Sequence, residues 1–310
     1  MNIVFMGTPA FAVPSLRMLL SEGYNVVAVV TQPDRPQGRK KVLMPTPVKE
    51  VALEHGIPVL QPQRMRNPEA VAELAAYKPD LIVTAAYGQI LPKSVLELPA
   101  NGCVNVHGSL LPKYRGGAPI QRCIIDGETE TGITLMYMAE GLDTGDMIAQ
   151  VKVAIDEEDT SGTLFEKLSL AGAALLKEQM PRLANGRVAA EKQDDGLATY
   201  APNLKREDEK IDWSASTGDI YNQIRGLVPF SGGFTLWNGD VFKVWASRKA
   251  DKASKDAAPG TVLQLTEKGI EVKTGDGSLW LTRVQPSGKK QMDAAEFVRG
   301  NTMTPGTVLT

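Results

Sequence analysis

The 310-residue chain contains two histidines, so imidazole chemistry has only two addresses, His55 and His107. His107 leaves the apolar run Cys103-Val104-Asn105-Val106 and enters a Gly- and Pro-rich segment that continues to Gly116. Strand-to-loop exits of this kind are where α/β proteins build their sites. Asn105 stands two residues before His107, and a strand turns residues at that spacing to one face. An amide donor beside an imidazole suits a carbonyl whose oxygen becomes negative while a proton moves. The competing reading is a satisfied structural histidine beside a packing asparagine. His55 precedes Gly56 at a predicted helix end, where a cation complements the helix dipole, and reads as structural. A carboxylate to orient the imidazole is available in Gly141-Leu142-Asp143-Thr144-Gly145-Asp146. Spacing alone does not choose between Asp143 and Asp146, and either also fits as a plain turn residue.

Other chemistries lack their signatures. Gly7 follows the first apolar run, but no GxGxxG accompanies it, and no GxxxxGK[ST] phosphate loop is present. Cys103 and Cys123 form no CxxC pattern, and with two separated histidines they make no ligand set, so no metal is expected. Sparse cysteine also points to a reducing compartment. With 34 basic and 36 acidic side chains the net charge is -2, which excludes a globally basic binder and an acidic disordered chain. The charge is uneven: residues 1–209 sum to -5 and residues 210–310 to +3. The longest concentration of unopposed basic charge runs from Arg35 to Lys49, where Arg35, Arg39, Lys40, Lys41 and Lys49 meet no acid. Gly38 and the surrounding prolines mark it as a loop able to order around a polyanion. The bland alternative is a solvated turn. No apolar run reaches the roughly 18 residues of a membrane span. The chain opens as a strand with no basic or apolar leader, so a soluble cytoplasmic protein, most simply a monomer, is expected.

The elements that must position these residues follow two rhythms. Through the first half, short apolar runs near residues 3–6, 26–31, 59–60 and 81–85 alternate with helical patterns at 14–21, 47–55 and 68–77. Such alternation predicts a mostly parallel sheet covered by helices. Two runs near 132–138 and 147–153 have no full helix between them, so the sheet is expected to end antiparallel. A long helix is predicted over 160–183, with Ser161 near its N-cap. Residues 189–209 are polar and read as a linker. Beyond residue 211, five short strands at 233–237, 241–245, 260–265, 269–274 and 278–284, broken by turns such as Asn238-Gly239, suggest a small OB-like β-barrel. Trp213, Trp237, Trp245 and Trp280 all lie there and read as core packing rather than base-stacking platforms. Three segments are therefore expected: 1–188, a linker at 189–209, and a β-barrel at 210–310.

Taken together, Asn105 to Gly116 with its SLLPKYRG core, GLDTGDM at 141–147, MGTPAF at the start, TQPDRPQGR at 31–39 and AAYGQILP at 85–92 resemble the folate-dependent formyltransferases over essentially the whole chain. The TQPDRPQGR segment and the C-terminal domain resemble the branch that acts on charged tRNA. The resemblance implies a Rossmann-like catalytic domain at 1–188 and a tRNA-binding β-barrel at 210–310. It implies transfer of a formyl group from 10-formyltetrahydrofolate, without metal, to the α-amino group of initiator methionyl-tRNA. Asn105, His107 and Asp143 match the family's catalytic trio. Ser109, Leu110, Leu111 and Pro112 match its folate-contacting loop, and Ile90, Leu91 and Pro92 a wall of the pterin pocket. Arg39, with Arg35, Lys40 and Lys41 beside it, matches a basic insertion that holds the acceptor end of tRNA. The run Val228-Pro229-Phe230-Ser231-Gly232-Gly233 departs from the family's Trp-Pro-Gly type of segment. Formyl transfer to an amino sugar or a purine precursor, deformylation with water as nucleophile, and a catalytically silent RNA-binding protein are the alternatives to be separated from this reading.

Overall fold

The computed structural model describes residues 1–251 and 256–310. The chain divides into two compact units: residues 1–116, 130–154 and 165–201 form the first, and residues 117–129, 155–164 and 202–310 the second. These limits differ from the expected three segments. Residues 189–201, read as linker, belong to the first unit, and two stretches from the first half of the chain belong to the second. Polar composition hid the first difference: residues 189–201 are anchored by side-chain hydrogen bonds and isolated bridges, not by an apolar face.

The strands of the first unit are β1 (Ile3–Gly7), β2 (Val26–Val30), β3 (Arg35–Gln37), β4 (Val42–Met44), β5 (Val59–Leu60), β6 (Leu81–Ala85), β7 (Cys103–His107), β8 (Glu130–Tyr137) and β9 (Met147–Ala154). Seven of them make one sheet in the order β5-β2-β1-β6-β7-β8-β9. The first five pair in parallel, while β7–β8 and β8–β9 pair antiparallel, as the sequence rhythm predicts. Both β1 and β6 are buried along their whole length, which explains their unbroken apolar runs. The order reverses between β1 and β6, so the crevice outside their carboxyl ends is where a doubly wound sheet binds ligands. Around this sheet run α1 (Val13–Ser21), α2 (Pro47–Glu54), α3 (Pro68–Ala75) and the short α4 (Lys93–Leu96). Thr46 caps α2 by accepting from the Lys49 amide at 3.1 Å, and Pro47 fills the first helical position. β3 and β4 form a separate antiparallel hairpin, so the basic segment is a hairpin rather than an irregular loop.

In the second unit, α5 (Pro119–Ile125), α7 (Arg206–Glu209) and α8 (Thr217–Leu227) precede the sheet, and α9 (Ala294–Gly300) follows it. The long helix α6 (Ser161–Ala184) has its first turn in the second unit and the remainder in the first. Its capping contact comes from Thr160, whose Oγ1 accepts from the Thr163 amide, while Ser161 Oγ donates to Gly226 O. The strands β10 (Gly233–Trp237), β11 (Asp240–Lys249), β12 (Val262–Thr266), β13 (Gly269–Lys273), β14 (Ser278–Gln285) and β15 (Met292–Asp293) pair antiparallel. The main path runs β10-β11-β14-β13-β12. Residues 306–310 bridge its two ends: Leu236 and Thr310 exchange backbone hydrogen bonds on one side, and Thr307 and Leu309 bond to Val262 and Gly260 on the other. Trp213 and Trp237 pack into this unit's core as expected, with Trp213 Nε1 donating to buried Thr235 and Trp237 edge-on to Phe242 and Phe297, and Trp280 is buried as well. The departing run 228–233 forms the turn from α8 into β10.

Candidate active site

Parallel pairing brings the carboxyl ends of β1, β6 and β7 to one edge of the sheet, and His107 is the last residue of β7. Its ring is 6% exposed. Nε2 lies 3.0 Å from Tyr114 O, and a carbonyl only accepts, so Nε2 carries the hydrogen. Nδ1 is thereby left as the ring nitrogen with a free lone pair. It faces Asp143 Oδ2 at 3.7 Å. Asp143 is thus the acid the fold selects between the two candidates. Its backbone is left-handed, with φ of 51°, and its Oδ2 accepts from the Gly116 amide at 2.8 Å. Gly145 lets this loop approach the sheet: a Cβ there would collide with Tyr137 O.

Asn105 sits beside Thr84 of β6 in register. Its Oδ1 accepts from Thr84 Oγ1 at 2.8 Å, which points Nδ2 the other way as a donor with no partner among the described residues. Thr84 itself is buried. This is the orientation an oxyanion donor needs, held by a neighbouring strand before any ligand arrives. Nothing in the local sequence singled out Thr84, because it is one polar residue in a buried apolar strand.

The segment from Ser109 to Pro112 is held rigidly. Thr134 Oγ1 donates to Ser109 O at 2.7 Å and accepts from the Leu111 amide at 3.0 Å, while Gln150 Nε2 donates to Leu111 O at 2.9 Å. Ser109 and Leu111 are buried, with Ser109 Oγ donating to Lys113 O, whereas Leu110 and Pro112 are half-buried. After β6, Ile90 stands 84% exposed, Leu91 packs into the core with Val4 and Met6, and Pro92 precedes α4.

Arg35, Arg39, Lys40 and Lys41 are exposed on the β3–β4 hairpin and form no ion pair among the described residues. No hydrogen bond or ion pair joins them to the trio among those residues. Lys49 differs from them: its Nζ pairs with Asp34 at 2.8 Å, so its charge is already answered. Hydrogen bonds from Lys49 and Gln61 hold the Asp34 carboxyl below its usual range. Thr31 and Thr46 hydroxyls meet at 2.7 Å, closing the base of the hairpin. In the second unit, Lys243 and Lys249 are also engaged, with Ser231 O and Glu157 respectively. Among the described residues no group of three His, Cys, Asp or Glu is placed to hold a metal ion, and no helix is long and apolar enough to cross a membrane.

The doubly wound sheet thus holds an amide and an imidazole at its carboxyl edge, with a carboxylate on the loop that faces them. Residues 1–180 match the formyl transferase family and residues 203–302 the formyl transferase C-terminal domain; the chain belongs to the formyl transferase family. Similar curated relatives are the methionyl-tRNA formyltransferases of Bacillus subtilis (strain 168) and Bacillus velezensis, 57% and 56% identical over 309 residues, covering 99% of this chain and 97% of each relative. Among solved structures, the sugar 3N-formyl transferase WlaRD shares the fold at a TM-score of 0.69 and 22% identity, over 94% of this chain and 99% of that one. HypX from Aquifex aeolicus, solved with tetrahydrofolic acid, does so at 0.66 and 18%, over 96% of this chain and 46% of that one.

Proposed function

We infer that this chain transfers the formyl group of 10-formyltetrahydrofolate to the α-amino group of methionine carried on initiator tRNA, the activity for which its relatives at 56–57% identity are named. The observation that carries the chemistry is the preset trio: an Asn105 amide whose donor end is left open by Thr84, and a His107 Nδ1 facing Asp143.

The reaction forms one C–N bond and breaks another. The neutral amine attacks the formyl carbon, the carbonyl oxygen becomes negative, and the bond from carbon to the folate nitrogen breaks as the oxygen reforms its double bond. The amine loses a proton and the departing nitrogen gains one, so the exchange balances without oxidant or metal. A free α-amino group titrates near about 7.7–8.0, so part of it is protonated at neutral pH and must lose that proton before attack. His107 Nδ1 is the proton carrier, with its tautomer set by Tyr114 O and its orientation by Asp143. Asn105 Nδ2 donates to the oxygen as its charge develops. Ser109 to Pro112 and Ile90 to Pro92 form the folate side of the site, the half-buried Leu110 and Pro112 and the exposed Ile90 offering its apolar surface. Arg39, with Arg35, Lys40 and Lys41, meets the tRNA acceptor end; these cations are exposed and have no ion-pair partner among the described residues, which leaves them available to phosphate. The second unit supplies further tRNA contacts, and the protein acts as a cytoplasmic monomer.

The test offers the purified protein 10-formyltetrahydrofolate with charged initiator or elongator methionyl-tRNA and follows formyl-methionine. Transfer preferring the initiator is expected. Failure with charged tRNA but turnover of an amino sugar or of water would overturn the assignment.

A further inference from the structure

Asp143 is held from two directions, by Gly116 and by Gln193. Gly116 N–H takes its carboxylate at 2.8 Å. Its backbone carbonyl accepts from Gln193 Nε2 at 2.8 Å, and the same nitrogen donates to Gly145 O at 2.8 Å. Both amide hydrogens of Gln193 are thus spent on the Asp143 loop. Its Oε1 accepts from Arg115 Nε at 3.2 Å and Nη2 at 2.9 Å. Arg115 is 2% exposed and Gln193 4%. Burial works against the Arg115 charge, yet Asp195, at 2.7 Å, and Tyr200 outweigh it and hold the guanidinium proton more firmly than usual. Tyr114, next in the chain, holds His107 Nε2. Residues 114, 115 and 116 therefore touch the imidazole, the Gln193 amide and the carboxylate in turn.

We propose that Gln193, locked by Arg115, is a positioning residue for formyl transfer: it sets where Asp143 stands relative to His107. The proposal rests on the trio reading above. The physical reason is that Asp143 has left-handed backbone at a Gly-flanked turn, a sparsely populated conformation that the contacts around it hold in place. Two hydrogen bonds from one rigid amide to Asp143 O and Gly145 O fix the loop on both sides of Thr144. The 3.7 Å gap between Nδ1 and Oδ2 is short enough to orient the ring and too long for a hydrogen bond. Catalysis at such a gap depends on the loop staying put. Displacements near 1 Å can cost about 10²-fold in rate.

The experiment compares Gln193→Glu and Gln193→Met with wild type, each alone and combined with Asp143→Asn. Glu keeps the Arg115 partner and removes both donors to the loop; Met keeps the volume and removes every polar atom. Both are expected to lower kcat about 10²-fold, with KM for 10-formyltetrahydrofolate and for charged tRNA changed less than about twofold. In the Asp143→Asn background the same substitutions should cost far less, because the carboxylate they position is gone. Equal losses in the two backgrounds, or a change confined to KM, would overturn the proposal. So would loss of the folded state in both variants, since Gln193 would then be a stability residue. Inactivity of wild type itself would instead sink the functional reading, which keeps the two failures apart.

Discussion

The edge of the sheet at β7 and the β3–β4 hairpin are both polar, and they handle their polar groups in opposite ways. At the edge, His107, Arg115 and Gln193 are buried, and their polar groups are engaged by a carbonyl, a carboxylate or an amide. On the hairpin, Arg35, Arg39, Lys40 and Lys41 are exposed and unpaired among the described residues, and Val42, Leu43 and Met44 beside them are exposed as well. Only the base of the hairpin is fixed, by Asp34, Lys49 and Gln61. The contrast separates two physical tasks. Stabilising a charge that appears on one oxygen needs dipoles aimed in advance, which burial and hydrogen bonding provide. Holding a polyanion needs charge in reach of solvent, where counterions can be displaced.

If that division is right, substitutions in the two regions must fail differently. The largest effect belongs to His107→Ala, expected to lower kcat by about 10²–10⁴; wild-type turnover at saturating substrates would remove the proton-carrier role. Next comes Asn105→Ala, with an expected loss of about 10²–10³ in kcat from one missing oxyanion donor. Its companion Thr84→Val leaves the amide in place but removes the hydroxyl that aims it, so a smaller loss is expected, abolished in the Asn105→Ala background. Measuring kcat for the single and double variants checks both.

The hairpin should show the reverse pattern. Arg39→Ala is expected to raise KM for charged tRNA severalfold, leave folate binding intact, and reduce the salt slope of tRNA binding by about one. Binding titrations over a range of salt concentrations decide this, and an unchanged affinity would erase the contrast. The smallest effect on rate belongs to Tyr87, just past β6. Burial pushes its hydroxyl up to about 12. Because the folded value lies above the ordinary one of about 10, the stability it contributes is present below pH 10 and is lost as pH rises through about 12. Tyr87→Phe should therefore lose stability less steeply above pH 10, by up to about 1.4 kcal/mol per pH unit, with activity near neutral pH unaltered. Denaturant melts at a series of alkaline pH values read this directly.

Much of this frame was legible in the residues. The alternation of apolar runs and helical patterns predicted the parallel sheet and its antiparallel end, and the five later strands were placed to within a few residues, because pairing period and turn residues are local signals. Helices α5, α8 and α9 were not read. They are short or weakly apolar, and packing rather than propensity makes them. The burial of Gln193 inside the polar stretch 189–209 was not legible for a related reason. A polar stretch reads as solvent-facing, whereas Gln193 is buried by satisfying polar groups that lie 48 and 50 positions away in the chain.

By itself, the sequence determined which groups were available: two histidines, an asparagine at the right strand spacing, two acids in a Gly-flanked turn, and a stretch of unopposed basic charge. Those are properties of residue type and near-neighbour spacing. Only the tertiary structure set the Asp143 carboxylate facing His107, gave the imidazole its tautomer through Tyr114 O, aimed Asn105 with Thr84, and drew Gln193 beneath the loop. Each of those choices is a hydrogen bond or a charge contact between groups far apart in sequence or on different elements. Direction at that scale is set by where the backbone goes and by the cost of leaving a buried polar group unpaired.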